Sequence, residues 1–113
     1  MNQQQYRLLC MDIDGTLLNS AHKLPPANRE AVQSAAKNGV TICLMSARPP
    51  RAVFPIRDAL GVDGPLVCCG GGLILSGKSR MADSRLTRAC AQAVLQETQA
   101  RGIHLSVYRD LDW

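Results

Sequence analysis

The stretch Leu8 to Leu18, Leu-Leu-Cys-Met-Asp-Ile-Asp-Gly-Thr-Leu-Leu, constrains the fold more than any other part of the chain. An apolar run suited to a buried strand ends abruptly in two carboxylates, Asp12 and Asp14, followed by the turn-former Gly15 and the hydroxyl of Thr16. In open α/β sheets ligands sit outside the carboxyl ends of the strands, so both acids are placed where chemistry usually happens. Residues two apart on a strand share a face, with Cα atoms roughly 6 to 7 Å apart, close enough for one cation or one phosphoryl group to meet both. Two carboxylates ionised at neutral pH in one place call for a cation. Mg²⁺ suits them, being oxygen-seeking and able to keep its waters while binding one or two carboxylates and a phosphate.

Downstream, Asn19 to Pro26 has the composition of a loop, with Pro25 and Pro26 standing where a helix can start and a missing N–H costs little. Ala31, Val32, Ala35 and Ala36 form a narrow apolar stripe at helical spacing, and Gly39 supplies a stop. Val40 to Met45 is apolar apart from Thr41, which predicts a second buried strand that ends in Ser46 and Arg48. Strand, helix, strand in this order gives a right-handed parallel crossover, and so sets Ser46 on the same sheet edge as Asp12.

Pro49 and Pro50 open a second helix through Val53, Ile56 and Leu60 to Gly61, with a kink or a late start expected from Pro55. Pro65 to Cys69 predicts a third strand, Gly70 to Gly72 a flexible corner, and Leu73 to Leu75 a returning strand turned at Ser76-Gly77. Ser84 is placed to cap a helix from Arg85 to Arg101 whose apolar face is Leu86, Cys90, Ala93 and Val94. Ile103, Leu105 and Val107 alternate with His104, Ser106 and Tyr108, which predicts a half-buried strand. The early strands read as apolar on both faces and this last one as wet on one, so a boundary falls near Ala82. Residues 1–82 are expected to form an α/β core, a parallel sheet with helices on both faces, and residues 83–113 to begin a second, α+β unit.

The 113 residues have the length of one small domain, and 46% apolar with 4% aromatic residues suits aliphatic α/β layers. The net charge of +4 comes from basic residues scattered through the chain, which fits attraction for small phosphorylated anions and lacks the clustering of a nucleic-acid footprint. No apolar stretch approaches membrane-spanning length, and Met1 to Gln5 is too polar and short for a secretion signal. The five cysteines, at 10, 43, 68, 69 and 90, lack a C-x-x-C pair and are expected to be small buried hydrophobes of a reducing cytoplasm.

The run Asp12-Ile13-Asp14-Gly15-Thr16-Leu17-Leu18, with Ser46-Ala47-Arg48-Pro49 after a second strand, resembles the first two motifs of the haloacid dehalogenase-like phosphatases. The likeness is strongest to Cof-type sugar-phosphate phosphatases with a large cap, and it covers nearly the whole chain. It implies the N-terminal part of a Rossmann-like core, residues 1–82, and the beginning of the cap, residues 83–113. It implies that Asp12 is the nucleophile and a Mg²⁺ ligand, and that Asp14 is the general acid and base, its backbone carbonyl a second ligand. Ser46, with the N–H groups of Ile13 and Ala47, would hold the phosphoryl oxygens of a small phosphorylated metabolite.

The departures are Ala47 where the family carries Gly, and Gly70-Gly71 where it usually carries Asn-Gly. The third-motif Lys and fourth-motif acidic residues lie beyond the cap in such proteins, and residues 1–113 hold no counterpart. A truncated or degenerate non-catalytic relative, binding phosphate, metal or a protein partner, therefore stays open beside the phosphatase. Arg48 is expected in an ion pair, Ser46 also suits a helix cap, and His22 and His104 read as surface residues.

Overall fold

The computed structural model describes residues 5–111. Outside it fall most of the Met1 to Gln5 stretch and the last two residues of the unit expected at 83–113. The elements are β1 (Leu8–Asp12), α1 (Pro26–Lys37), β2 (Thr41–Met45), α2 (Pro50–Leu60), β3 (Leu66–Cys68), β4 (Leu73–Ser76), β5 (Ser79–Asp83) and α3 (Arg88–Ala100), with a short 3₁₀ turn at Cys69–Gly71. They build one five-stranded sheet in the order β1-β2-β3-β4-β5. The first three strands are parallel and the last two return antiparallel, so this α/β sheet is mixed.

The crossover from β1 through α1 to β2 forms where the sequence places it. Pro26 stands in the first turn of α1, Asn38 caps its carboxyl end, and Gly39 follows in the left-handed region at φ +85°. Asn28 Nδ2 donates to the Leu17 carbonyl at 2.9 Å and Gln33 Nε2 to the Leu60 carbonyl at 3.0 Å, tying α1 to the loop after β1 and to the end of α2. Helix α2 starts at Pro50, not late, and carries Pro55 inside it. Ile13, Leu17, Leu18, Val32, Ile42, Leu44, Val53, Leu60, Leu66, Cys68, Leu73 and Leu75 form one buried cluster. The carboxyl ends of β1, β2 and β3 are thus fixed by a common core.

Several expectations change after Gly70. The corner takes the form of a short 3₁₀ turn: Cys69–Gly71 carries Gly70 at φ +64°, and Cys69 itself adopts φ +53°. The returning strand runs to Ser76 and pairs with a fifth strand, Ser79–Asp83, beyond those expected. Ser84 does not cap α3, because its N–H continues the sheet edge by donating to the Gly72 carbonyl at 2.8 Å. Thr87 is the cap, its hydroxyl accepting from the Cys90 N–H at 3.2 Å, and α3 begins at Arg88.

No residue of α3 is buried, and residues 103–108 form no strand. An alternating segment becomes a strand only against a partner edge, and among the described residues this one has none. The radius of gyration, 16.9 Å, exceeds the value of about 13 Å for a compact chain of this length, consistent with that exposed carboxyl-terminal part.

The cysteines also divide. Cys43 and Cys68 are buried as expected and Cys69 is half-buried, but Cys10 and Cys90 are exposed. Cys10 lies on β1, which is the edge of the sheet and leaves Leu8 and Leu9 exposed as well. No described helix is long and apolar enough to cross a membrane.

Candidate active site

The register Asp12↔Met45 brings the end of β1 level with the end of β2, so Ser46 follows directly beside Asp12. Ser46 is in turn locked to β3 through its N–H, which donates to the Val67 carbonyl at 2.8 Å. Beyond β3 the Gly70 N–H donates to the Ser46 carbonyl at 3.0 Å and the Cys69 N–H to the Arg48 carbonyl at 2.9 Å. Three strand ends are therefore joined by backbone bonds into one rim, and it carries Asp12, Asp14, Ser46, Ala47, Arg48 and Cys69.

The loop after β1 displays the acids. Ile13 is fully buried between two exposed neighbours, Asp12 and Asp14, so the in-out alternation of a strand continues past Asp12. The chain then coils tightly: Leu17 and Leu18 donate to the Ile13 carbonyl at 3.1 and 2.9 Å, Gly15 supplies φ +76°, and both leucines enter the core. This anchored coil holds the carboxylates at the surface on a rigid base.

Asp12 accepts a hydrogen bond from the Thr16 hydroxyl at 3.4 Å, and no cation pairs with it among the described residues. Asp14 is gripped. Arg48 Nη2 donates to Oδ1 at 2.6 Å and Nε to Oδ2 at 2.9 Å, the two-point geometry in which guanidinium and carboxylate match best. The hydrogen bonds from Arg48 hold the Asp14 carboxyl below the usual carboxylate range, against the opposing effect of desolvation. The expected ion pair of Arg48 is thus formed, and its partner is the candidate acid and base itself.

Ser46 is only 6% exposed, and its Oγ accepts the Arg48 N–H at 3.0 Å. A hydroxyl that accepts in this way still has its proton to donate, and its direction is fixed by the bond it has made. It is not the cap of α2, since Pro49 occupies that position without a side-chain bond. Ala47 is exposed next to it. The Ile13 N–H, expected to face the phosphoryl group, instead donates to the Met45 carbonyl at 3.2 Å, which corrects that expectation: parallel strand pairing consumes this donor.

Two features were missed in sequence. The bond between Arg48 and Asp14 spans 34 positions, and only the crossover topology brings those residues together. His22, read as an ordinary surface residue, has its Nδ1 3.6 Å from Asp14 Oδ1. Among the described residues His104 meets Ser106 Oγ, at 3.1 Å, and it remains a surface residue.

The donor set fits a hard cation in part. Asp12 offers an exposed carboxylate and the chain beside it backbone carbonyls, whereas the Asp14 carboxylate is occupied by Arg48. No cluster of three or more metal-binding side chains occurs among the described residues. A cation here would keep much of its water, as Mg²⁺ commonly does.

Residues 9–113 match the family of haloacid dehalogenase-like hydrolases. The chain is 35% identical over 65 residues to a pyridoxal phosphate phosphatase of Escherichia coli, covering 58% of this chain and 24% of that protein. It is 26% identical over 106 residues to a 5-amino-6-(5-phospho-D-ribitylamino)uracil phosphatase of Bacillus subtilis, covering 92% of this chain and 36% of the relative. Among solved structures, a haloacid dehalogenase-like hydrolase from Bacteroides thetaiotaomicron superposes with a TM-score of 0.80 at 25% identity, over 87% of this chain and 39% of that one. The 113 residues thus span about a quarter to a third of the length of these two curated relatives.

Proposed function

The chain belongs to the haloacid dehalogenase-like hydrolases, and from that premise we propose that it is the phosphoryl-transfer portion of a Mg²⁺-dependent phosphomonoester hydrolase. Its substrates are small phosphorylated metabolites such as sugar phosphates, as in the Cof-type members, and residues 83–113 begin the cap. The observation that carries this reading is the rim itself: an exposed carboxylate at the end of β1, level with a buried, oriented hydroxyl at the end of β2.

Asp12 attacks phosphorus as the ester P–O bond breaks, forming an aspartyl-phosphate, and Asp14 delivers a proton to the departing oxygen. In the second step Asp14 takes a proton from water as that water displaces Asp12 from phosphorus, releasing phosphate. Ser46 donates its hydroxyl proton to a phosphoryl oxygen, where charge must be held in place. Asp12 and the Asp14 carbonyl would hold Mg²⁺, which supplies positive charge against the phosphoryl oxygens. Arg48 favours the carboxylate form of Asp14, the form required for the second step. The first step needs Asp14 protonated, so the grip must open when a phosphomonoester binds.

That same grip favours the second reading, a phosphate- or metal-binding relative without turnover. Hydrolysis of p-nitrophenyl phosphate and a sugar-phosphate panel with Mg²⁺ separates the two. Turnover that disappears in Asp12→Asn supports the hydrolase, whereas a folded chain that binds phosphate without turning over any ester supports the binding module.

A further inference from the structure

His22 stands beside Asp14 in a backbone conformation that its own side chain disfavours. Its φ is +56°, a left-handed region where Cβ crowds the carbonyl oxygen and which glycine enters more readily than any residue with a side chain. The loop around it is closed by four hydrogen bonds. Asn19 Oδ1 accepts from the N–H groups of Ala21 and Lys23, each at 3.0 Å, the Asn19 N–H donates to the Lys23 carbonyl at 2.9 Å, and the His22 N–H donates to the Asn19 carbonyl at 2.9 Å. None of these bonds uses the imidazole. The turn would form at least as well with glycine at position 22, so the ring is held there at a conformational cost and its use lies in what it can touch.

The ring is 73% exposed, and its Nδ1 lies 3.6 Å from Asp14 Oδ1. A leaving oxygen that takes a proton from Asp14 must come within about 3 Å of that carboxylate. Arg48 bonds both oxygens of the same carboxylate. The atoms next to the ester oxygen therefore come within a ring's length of His22. With one ring nitrogen towards Asp14, the other has no partner among the described residues and can meet a ligand.

We infer that His22 determines specificity for the leaving group by hydrogen-bonding a hydroxyl close to the ester oxygen, as in sugar and polyol phosphates. A hydroxyl both donates and accepts, so it can pair with the free nitrogen of the imidazole in either protonation state. An aryl phosphate offers no such group. The inference rests on the phosphatase reading of the rim and extends it to the chemistry of the leaving group.

The test is a titration of the ¹⁵N-labelled chain with glucose 6-phosphate and, separately, with inorganic phosphate, each with Mg²⁺, followed at the Ser46 amide and the His22 ring. Glucose 6-phosphate is expected to shift both, and inorganic phosphate only the Ser46 amide. His22→Gly should weaken glucose 6-phosphate about fivefold, the loss of one hydrogen bond, with inorganic phosphate unchanged. Its thermal midpoint should not fall, because glycine accepts φ near +56° without strain. If glucose 6-phosphate shifts the Ser46 amide of the wild type but binds His22→Gly equally well, the inference is overturned and the phosphatase reading stands. If neither compound moves the Ser46 amide, both fall together.

Discussion

Arg48 and Asp14, 34 residues apart, share two hydrogen bonds of 2.6 and 2.9 Å across the rim formed by β1 and β2. This pair lowers the pKa of the residue expected to move protons. Asp14 is 42% exposed, so solvent screens the pair and its contribution to stability is small.

Replacing Arg48 by alanine removes the main cause of the lowered Asp14 pKa, so the Asp14 carboxyl should titrate at a higher pH. The sign for stability follows. A depressed folded-state pKa stabilises the fold above the unfolded carboxyl pKa, and that contribution vanishes as pH falls through the folded value. The stability difference between wild type and Arg48→Ala should therefore be present near neutrality, below about 1 kcal/mol after solvent screening, and shrink in acid. Carboxyl ¹³C titration checks the pKa, and an Asp14 midpoint unmoved by the substitution would contradict the pairing.

Gly64 is required by close approach. A Cβ there would sit 1.9 Å from the Ile42 carbonyl oxygen, on backbone that cannot swing aside. Gly64→Ala should destabilise the chain by about 1 to 3 kcal/mol or more, because β2 and the loop leading into β3 must separate to admit it. Urea unfolding measures this, and a variant with an unchanged midpoint would show that the two segments are not packed as described.

Leu44 is fully buried, in register with Met11 on β1 and Leu66 on β3. Leu44→Ala should cost about 2 to 5 kcal/mol from lost burial and the cavity left behind. Against a typical stability of about 5 to 15 kcal/mol, that is enough to populate the unfolded state on mild heating. Thermal unfolding by circular dichroism reads the outcome, and a shift of only a degree or two would argue that β2 is not the centre of the core.

Burial pushes the Cys43 and Cys68 thiols up to about 11. At pH 8 only about one molecule in a thousand carries the reactive thiolate at either position. Iodoacetamide should thus label the exposed Cys10 and Cys90 first, with Cys43 and Cys68 protected until the chain unfolds. Peptide mass spectrometry after a brief exposure decides it, and early labelling of Cys68 would mean that the end of β3 is open.

The first three strands, α1 and α2 were legible because each is a local pattern: apolar runs of strand length, prolines at helix starts and glycines after helix ends. Asp12, Asp14 and Ser46 were legible as residues that terminate those runs. The unit after Gly70 was harder to read. Ser84 and Thr87 are both plausible caps in sequence, and the choice was made by the bond from Ser84 to Gly72, which extends the sheet edge at the expense of the helix. The alternation at 103–108 was real, but a strand also needs an edge to pair with.

By itself the sequence determined which residues reach the rim, since strand period, turn chemistry and one crossover place two acids and a serine at neighbouring strand ends. Only the tertiary structure decided what each of them meets there. Pairing of β1 with β2 took the Ile13 N–H away from the rim, the approach of the two loops joined Arg48 to Asp14, and a closed turn brought His22 beside the same carboxylate. Those relations depend on register and loop packing between distant segments, and a hydrogen bond across 34 positions leaves no periodic trace in the chain that makes it.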